Sequence, residues 1–290
     1  LRQRYLYFTF FLSTIFLFGC EVINPDEGIP VIIKIDKIQF DSNPFQGTDS
    51  VPIQDVWVYL DGEIRGAYEL PASIPLLMDG SHKIELMPGI ILNGIAGTRS
   101  ISPFFTTTVV TADFSPGQTY SYAPTSFYKS EVKLPWNNRG EEDFEIGGVS
   151  FDTLPQSSAG MSRSQEEVFE GNFSGCISMN STENYFVAQS NTEFVLPKNG
   201  SGVVLEMHIK NPNAALVVGM YITLNDGTVI SVDHLTINSG AEWRKLYINF
   251  TEMVSYYTNA KNYRLTLKSG LPSGQVSAKI YIDNIKLVHF

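Results

Sequence analysis

Cysteine is nearly absent from this chain: Cys20 and Cys176 are the only two among 290 residues. A small exported domain stapled by disulfides needs them in pairs, so that scaffold class is excluded. Basic residues are scarce as well, with 20 Lys and Arg against 30 Asp and Glu and a net charge of −10. No local Lys/Arg cluster offsets this, which argues against a nucleic-acid partner. The four histidines, His82, His208, His234 and His289, are scattered and show no spacing for a zinc pair. There is no Gly-x-Ser-x-Gly elbow and no glycine loop shaped for phosphate, so the common hydrolase and nucleotide signatures are missing. Heptads, low-complexity tracts and clear internal repeats are also lacking. The continuous apolar run Tyr5–Phe18 is shorter than the roughly 20 residues that span a bilayer as a helix.

What is present begins with that run. Arg2 and Arg4 precede it, and it ends at Leu17-Phe18-Gly19-Cys20. This pattern resembles a bacterial lipoprotein signal, with residues 1–19 removed and Cys20 diacylated as the new N-terminus. Two acyl chains give stable anchoring where one is marginal, so the resemblance implies an outer-membrane lipoprotein at the cell surface. Residues 20–30 form an acidic, proline-containing tether. Its acids resemble the export signal of surface-displayed lipoproteins, and they equally suit a solvated spacer. With Cys20 lipidated, Cys176 has no partner and is expected to be a buried thiol in a strand.

Apolar residues make up 43% of the chain, enough for packed cores in two domains of ordinary size. Residues 31–128 read as the first. Val31 to Ile38 is rich in β-branched residues; Val56, Val58 and Leu60 alternate with Trp57 and Tyr59; and Asp61-Gly62 supplies a hairpin turn. A second alternating run follows Asp79-Gly80, from His82 to Leu86. Together these segments resemble a PEGA-type extracytoplasmic β-domain, in which a hairpin is followed by a proline and a Gly-x-His strand. The insertion Tyr68–Ser73 departs from that pattern. Residues 129–143 read as a polar crossing.

Residues 144–290 carry about eight further strand candidates with turns between them, implying a two-sheet sandwich. The pairing of Trp243-x-Lys245-x-Tyr247-Ile248-Asn249 with Tyr281-Ile282-Asp283-Asn284-Ile285 resembles the galactose-binding-type jelly roll, home of many carbohydrate-binding modules. The expected fold is therefore all-β, with two β-sandwich domains: Ig/PEGA-like, then jelly roll.

Period-two alternation sorts side chains in the second domain. Val203, Leu205, Met207 and Ile209 oppose Glu206, His208 and Lys210; Leu246 and Ile248 oppose Lys245, Tyr247 and Asn249. The jelly-roll resemblance implies a sugar-binding face made by Trp243, Tyr247, Tyr221, Glu206, His208, Lys210 and Asn249. The plainer reading, a solvated sheet stitched by weak cross-strand charge pairs, carries more weight from sequence alone. The resemblance also implies a structural calcium held by Glu145 and Asp283, although Asp283 can equally be read as accepting strand-end hydrogen bonds. Glu141, Glu142, Asp143, Glu166, Glu167 and Glu170 read as a solvated acidic surface rather than a glycosidase pair. The resulting expectation is a non-catalytic lipoprotein, with the membrane, a polysaccharide or envelope proteins as partners.

Overall fold

The computed structural model describes residues 28–290; the signal, Cys20 and most of the tether lie outside the described residues. The fold class is all-β, as the alternation implied. The first block contains β1 (Val31–Ile35), β2 (Gln39–Phe40), β3 (Asp55–Leu60), β4 (Glu63–Glu69), β5 (Ala72–Leu76), β6 (Gly80–Ile91), β7 (Arg99–Ile101), β8 (Thr108–Phe114), β9 (Thr119–Tyr122) and β10 (Thr125–Ser126). One layer is β5-β1-β9, and the other is β4-β3-β6 with β7 and β8 paired along β6. Alternation explains the core: Val31, Ile33 and Ile35 are fully buried, and Val56, Val58 and Leu60 face them from β3. The β3–β4 hairpin turns on Asp61 and Gly62, both at positive φ (53° and 85°), the two-residue geometry that suits Asp-Gly.

The second block contains β11 (Phe151–Thr153), β12 (Gly160–Ser164), β13 (Ser174–Asn180), β14 (Tyr185–Ser190), β15 (Val203–Asn211), β16 (Leu216–Leu224), β17 (Val229–Ile237), β18 (Gly240–Asn249), β19 (Ala260–Gly270) and β20 (Ser277–His289). A short helix, α1 (Thr251–Tyr256), links β18 to β19. An outer sheet, β11-β14-β19-β16-β17, faces an inner sheet, β12-β13-β20-β15-β18. Leu205, Met207, Ile209, Ile280 and Ile282 from the inner sheet meet Val218, Met220, Leu265 and Leu267 from the outer one. The two strands beyond the expected eight, β11 and β12, are short and poor in β-branched residues. Pairing with β14 and β13, rather than intrinsic propensity, makes them strands.

The crossing segment is part of the packing. Trp136 is buried in the second block's core, 5.7 Å from Phe151 and 5.3 Å from Phe194 between ring centroids. Lys133 and Glu142 each bridge to β20, at His289 and Ile285. The expectation of a solvated acidic surface fails for Glu141, Glu142 and Asp143, all of which are buried. The reason is backbone satisfaction: the Glu142 carboxylate accepts from the amides of Phe144 and Ser150, each at 2.9 Å. Glu141 Oε1 accepts from the Thr48 amide at 2.8 Å, and Asp143 pairs with Arg139.

The first block docks onto the inner sheet. Val204, Tyr247 and Val288, which point away from the second core, complete the first one. Each apolar side chain buried in this way contributes on the order of 1.5–3 kcal/mol. The Asn93 amide donates to Tyr247 O at 2.7 Å, and Asn93 Oδ1 accepts from the Asn249 amide at 2.9 Å.

Candidate functional site

The side-chain sorting expected for β15 and β18 holds, but the solvent exposure does not. Glu206 and His208 are each 1% exposed and Tyr247 is 4% exposed, because the first block covers this part of the face. Each lies opposite the apolar core, as alternation requires, yet none is on an open sugar-binding surface. Glu206 Oε1 accepts from the Tyr128 hydroxyl at 3.1 Å, and Lys245 Nζ lies 3.3 Å from Glu206 Oε2.

Lys286 belongs to the same layer, and simple alternation misses it. Counting by twos from Ile280 and Ile282 puts residue 286 in the core. Instead, the register shifts so that His208 opposes Asp283 while Glu206 opposes Lys286, and Asn284 takes φ 51°. This bulge reverses the facing of β20, so Ile285 and Leu287 enter the core and Lys286 leaves it. The sequence signal is Asp283-Asn284, since asparagine tolerates the left-handed region better than most residues. Lys286 is fully buried, donates to Thr48 O at 2.5 Å, and lies 3.9 Å from Glu141 Oε2. Burial pushes its ammonium down to about 8.

Beside this layer lies a cleft of about 910 Å³ between the blocks. His208, Trp243, Lys245 and Tyr247 line it from the inner sheet; residues 37–40, 49–52, 54, 89–91 and 94 contribute from the first block. Phe169 also lines it and stacks on the His208 ring, with centroids 3.7 Å apart and planes at 15°. The Phe169 ring also meets Trp243 edge-on at 5.8 Å. Both His208 nitrogens, Trp243 Nε1 and Tyr247 Oη are buried without a hydrogen-bond partner in the protein, whereas Lys245 Nζ has the Glu206 carboxylate beside it. Each such group costs roughly 1–3 kcal/mol, and they are concentrated around this one cleft. Burial first, then the charges of Lys245 and Lys286, push His208 down to about 2. Its imidazole is therefore neutral, with one donor and one acceptor.

Phe169 comes from a strap, residues 165–173, laid across the polar face between β12 and β13. Glu166 pairs with Lys279 at 2.5 Å and Glu167 with Lys210 at 2.8 Å, which accounts for Lys210. The residues expected to hold calcium bind this strap instead. Asp283 Oδ2 accepts from the amides of Phe169 and Glu170 at 3.2 and 3.3 Å. Glu145 Oε1 accepts from the amides of Asn172 and Phe173 at 2.7 and 2.8 Å. Oxygens turned toward N–H hydrogens face positive charge already, so this donor set does not fit a cation. Among the described residues, no group of three or more His, Cys, Asp or Glu side chains is placed to hold a metal. Burial raises Asp283 to about 7, against the pull of its three amide donors.

Tyr221 is not brought to this site. It lies on β16 of the outer sheet, where Lys268 Nζ sits 5.9 Å from its ring. Arg264, Thr266 and Lys268 are on β19 of that same outer sheet. Asn249 is half-buried, with its Oδ1 accepting from the Thr251 amide at 3.0 Å. Cys176 is a free, buried thiol on β13, pushed up to about 11 by burial.

No family model matches the sequence, and no curated protein matches it. Among solved structures, the chain is similar to the CBM22-1 xylan-binding domain from Paenibacillus barcinonensis Xyn10C. The identity is 16% over 51% of this chain and 92% of that one, with a TM-score of 0.39. It is similar to the enzymatically active domain of bacteriophage CBA120 tailspike protein 4 at 12% identity, over 59% of this chain and 24% of that one, with a TM-score of 0.42. A carbohydrate-binding module of the β-sandwich superfamily covers 91% of this chain and 99% of its own, at 15% identity and a TM-score of 0.38. None of these likenesses assigns a ligand to this chain.

Proposed function

We propose that this chain is a non-catalytic, lipid-anchored protein of the bacterial cell envelope that captures a glycan in the cleft between its blocks. The observation that carries this reading is the gathering of Trp243, Phe169 and several unpartnered polar groups around that one cleft. A sugar ring presents an apolar face to an aromatic side chain and hydroxyls to its neighbours. Covering an aromatic ring in this way contributes roughly 1–3 kcal/mol. Neutral His208 and the Tyr247 hydroxyl each offer a donor and an acceptor, which matches the dual character of a sugar hydroxyl. The PEGA-like first block serves as a wall of the cleft rather than a detached spacer. The anchor rests on the signal-like N-terminus and on Cys20, with the outer-membrane surface as the destination.

The test uses the chain from Glu21 to Phe290 on a glycan array, followed by titration of the polysaccharides it captures. Trp243→Ala is expected to weaken binding about tenfold, the equivalent of some 1.4 kcal/mol, with the melting temperature nearly unchanged. A large fall in melting temperature would make Trp243 a packing residue. No binding by any polysaccharide at millimolar concentration would transfer the reading to a structural or adhesive lipoprotein contacting envelope proteins. The anchor is tested separately: a palmitate analogue should label the wild type and not Cys20→Ser, and equal labelling would reject it.

A further inference from the structure

The strap, residues 165–173, contains no strand or helix, and none of its residues is buried. A segment of that kind is ordinarily mobile, because few apolar contacts hold it. Here five carboxylates fix it at successive points. Glu166 and Glu167 pair with Lys279 and Lys210, while Glu170 Oε2 accepts from the Thr48 hydroxyl of the first block and from Asn284 Nδ2. Asp283 receives the amides of Phe169 and Glu170, and Glu145 those of Asn172 and Phe173. Gly171 completes the fit: it takes φ 75°, and a Cβ there would stand 2.5 Å from Glu145 Oε1. What this framework holds into the cleft is one phenyl ring. Phe169 is 38% exposed, and the parallel His208 ring covers one of its faces, so the surface it shows to the cleft is the other face. Trp243 lies at 62° to that ring and does not stack on it.

Resting on the glycan reading above, the geometry points to Phe169 as the platform on which a sugar ring stacks, with Glu145 as a residue that positions it. A phenyl group backed by a flat imidazole offers a fixed apolar plane, which the C–H face of a pyranose covers. Trp243 Nε1 and the Tyr247 hydroxyl then serve hydroxyls at the edge of the stacked ring. Because the strap is ordered in advance, the ligand does not have to order it on binding. Glu145 does not line the cleft, so its part in binding runs through the strap amides it holds.

The experiment is native affinity electrophoresis of the chain from Glu21 to Phe290 through gels containing xylan, mixed-linkage β-glucan, galactomannan or polygalacturonate, with melting temperatures measured alongside. Phe169→Ala and Phe169→Leu are each expected to weaken binding to the retarding polysaccharide about tenfold, and Phe169→Tyr by less than about threefold. The leucine substitution keeps bulk against His208 but removes the plane, so it separates stacking from space filling and decides the matter if Phe169→Ala melts early. Glu145→Gln is expected to weaken binding about threefold in the wild-type background and to change nothing further once Phe169→Ala is present. Wild-type affinity in Phe169→Leu overturns the platform. An undiminished Glu145→Gln effect in the Phe169→Ala background overturns the positioning role. Both of those results leave glycan capture standing, because the wild type is still retarded. No retardation of the wild type in any of the four gels overturns glycan capture and the platform together.

Discussion

The outer and inner sheets of the second block carry the same period-two pattern, yet their polar faces live in different surroundings. On the outer sheet Lys268 reaches Asp233 and the Ser231 hydroxyl near the surface, and Arg264 NH2 pairs with Glu193 at 3.0 Å, beside water. On the inner sheet Glu206, Lys245, His208 and Lys286 have comparable chemistry and almost no solvent. What covers them is remote in the chain: Lys286 donates to Thr48, 238 residues earlier, and Glu206 accepts from Tyr128, 78 residues earlier. Alternation assigns a residue to a face, whereas the environment of that face is decided by whichever segment lands on it.

The largest effect should come from uncovering a charge on the inner sheet. Glu141→Ala removes the acceptor for the Thr48 amide and the carboxylate nearest Lys286, leaving a buried ammonium poorly compensated. A loss of about 3–5 kcal/mol in denaturant unfolding is expected. A loss below about 1 kcal/mol would mean that water reaches Lys286 and that the two faces differ less than described.

The next contrast is in pH. His208 sits near 2 in the fold against an ordinary 6.5, so the unfolded chain takes up its proton first. Its contribution is present above about pH 6.5 and is lost as pH falls. Asp283 sits near 7 against an ordinary 3.8, so the fold holds that proton more tightly and gains stability as pH falls from 7 toward 4. Glu141, also raised by burial, acts in the Asp283 direction. Relative to wild type, His208→Gln should turn the stability slope toward greater acid stability, and Asp283→Asn should turn it the other way. Each change should be about 1.4 kcal/mol per pH unit. Urea midpoints at pH 5, 6 and 7 measure both, and two shifts of the same sign would contradict the assignment.

The smallest effect belongs to the outer sheet. Asp233→Ala breaks its pair with Lys268 at a site where the aspartate side chain is 55% exposed, and should cost less than about 1 kcal/mol. A loss as large as that of Glu141→Ala would erase the distinction between the faces.

Much of the β architecture was legible in the residues themselves. Val56, Val58 and Leu60 announced their inward face, and Asp61-Gly62 its turn. Leu205, Met207 and Ile209 separated from Glu206 and His208 as alternation predicts. Three features were not legible, each for a local reason. β12 has no strand-favouring residues and exists through its partner. Lys286 changed sides because one asparagine absorbed an extra residue in the ladder. Tyr221 was grouped with Trp243 although its strand joins the other sheet, since strand order depends on pairing between distant segments. The site was half legible: Trp243, Tyr247 and His208 do meet, but Phe169 and the first-block wall carry no periodic signal.

The placement of β20 has a consequence for how the protein is made. This last strand lies between β13 and β15 at the centre of the inner sheet, and it also receives Lys133 and Glu142 from the crossing segment. Synthesis from the N-terminus delivers β20 after the other described strands. Until then β13 and β15 lack their common neighbour, and the first block lacks Val288 to close its core. The arrival of β20 therefore completes both cores at once, and a chain cut short before residue 277 leaves both incomplete.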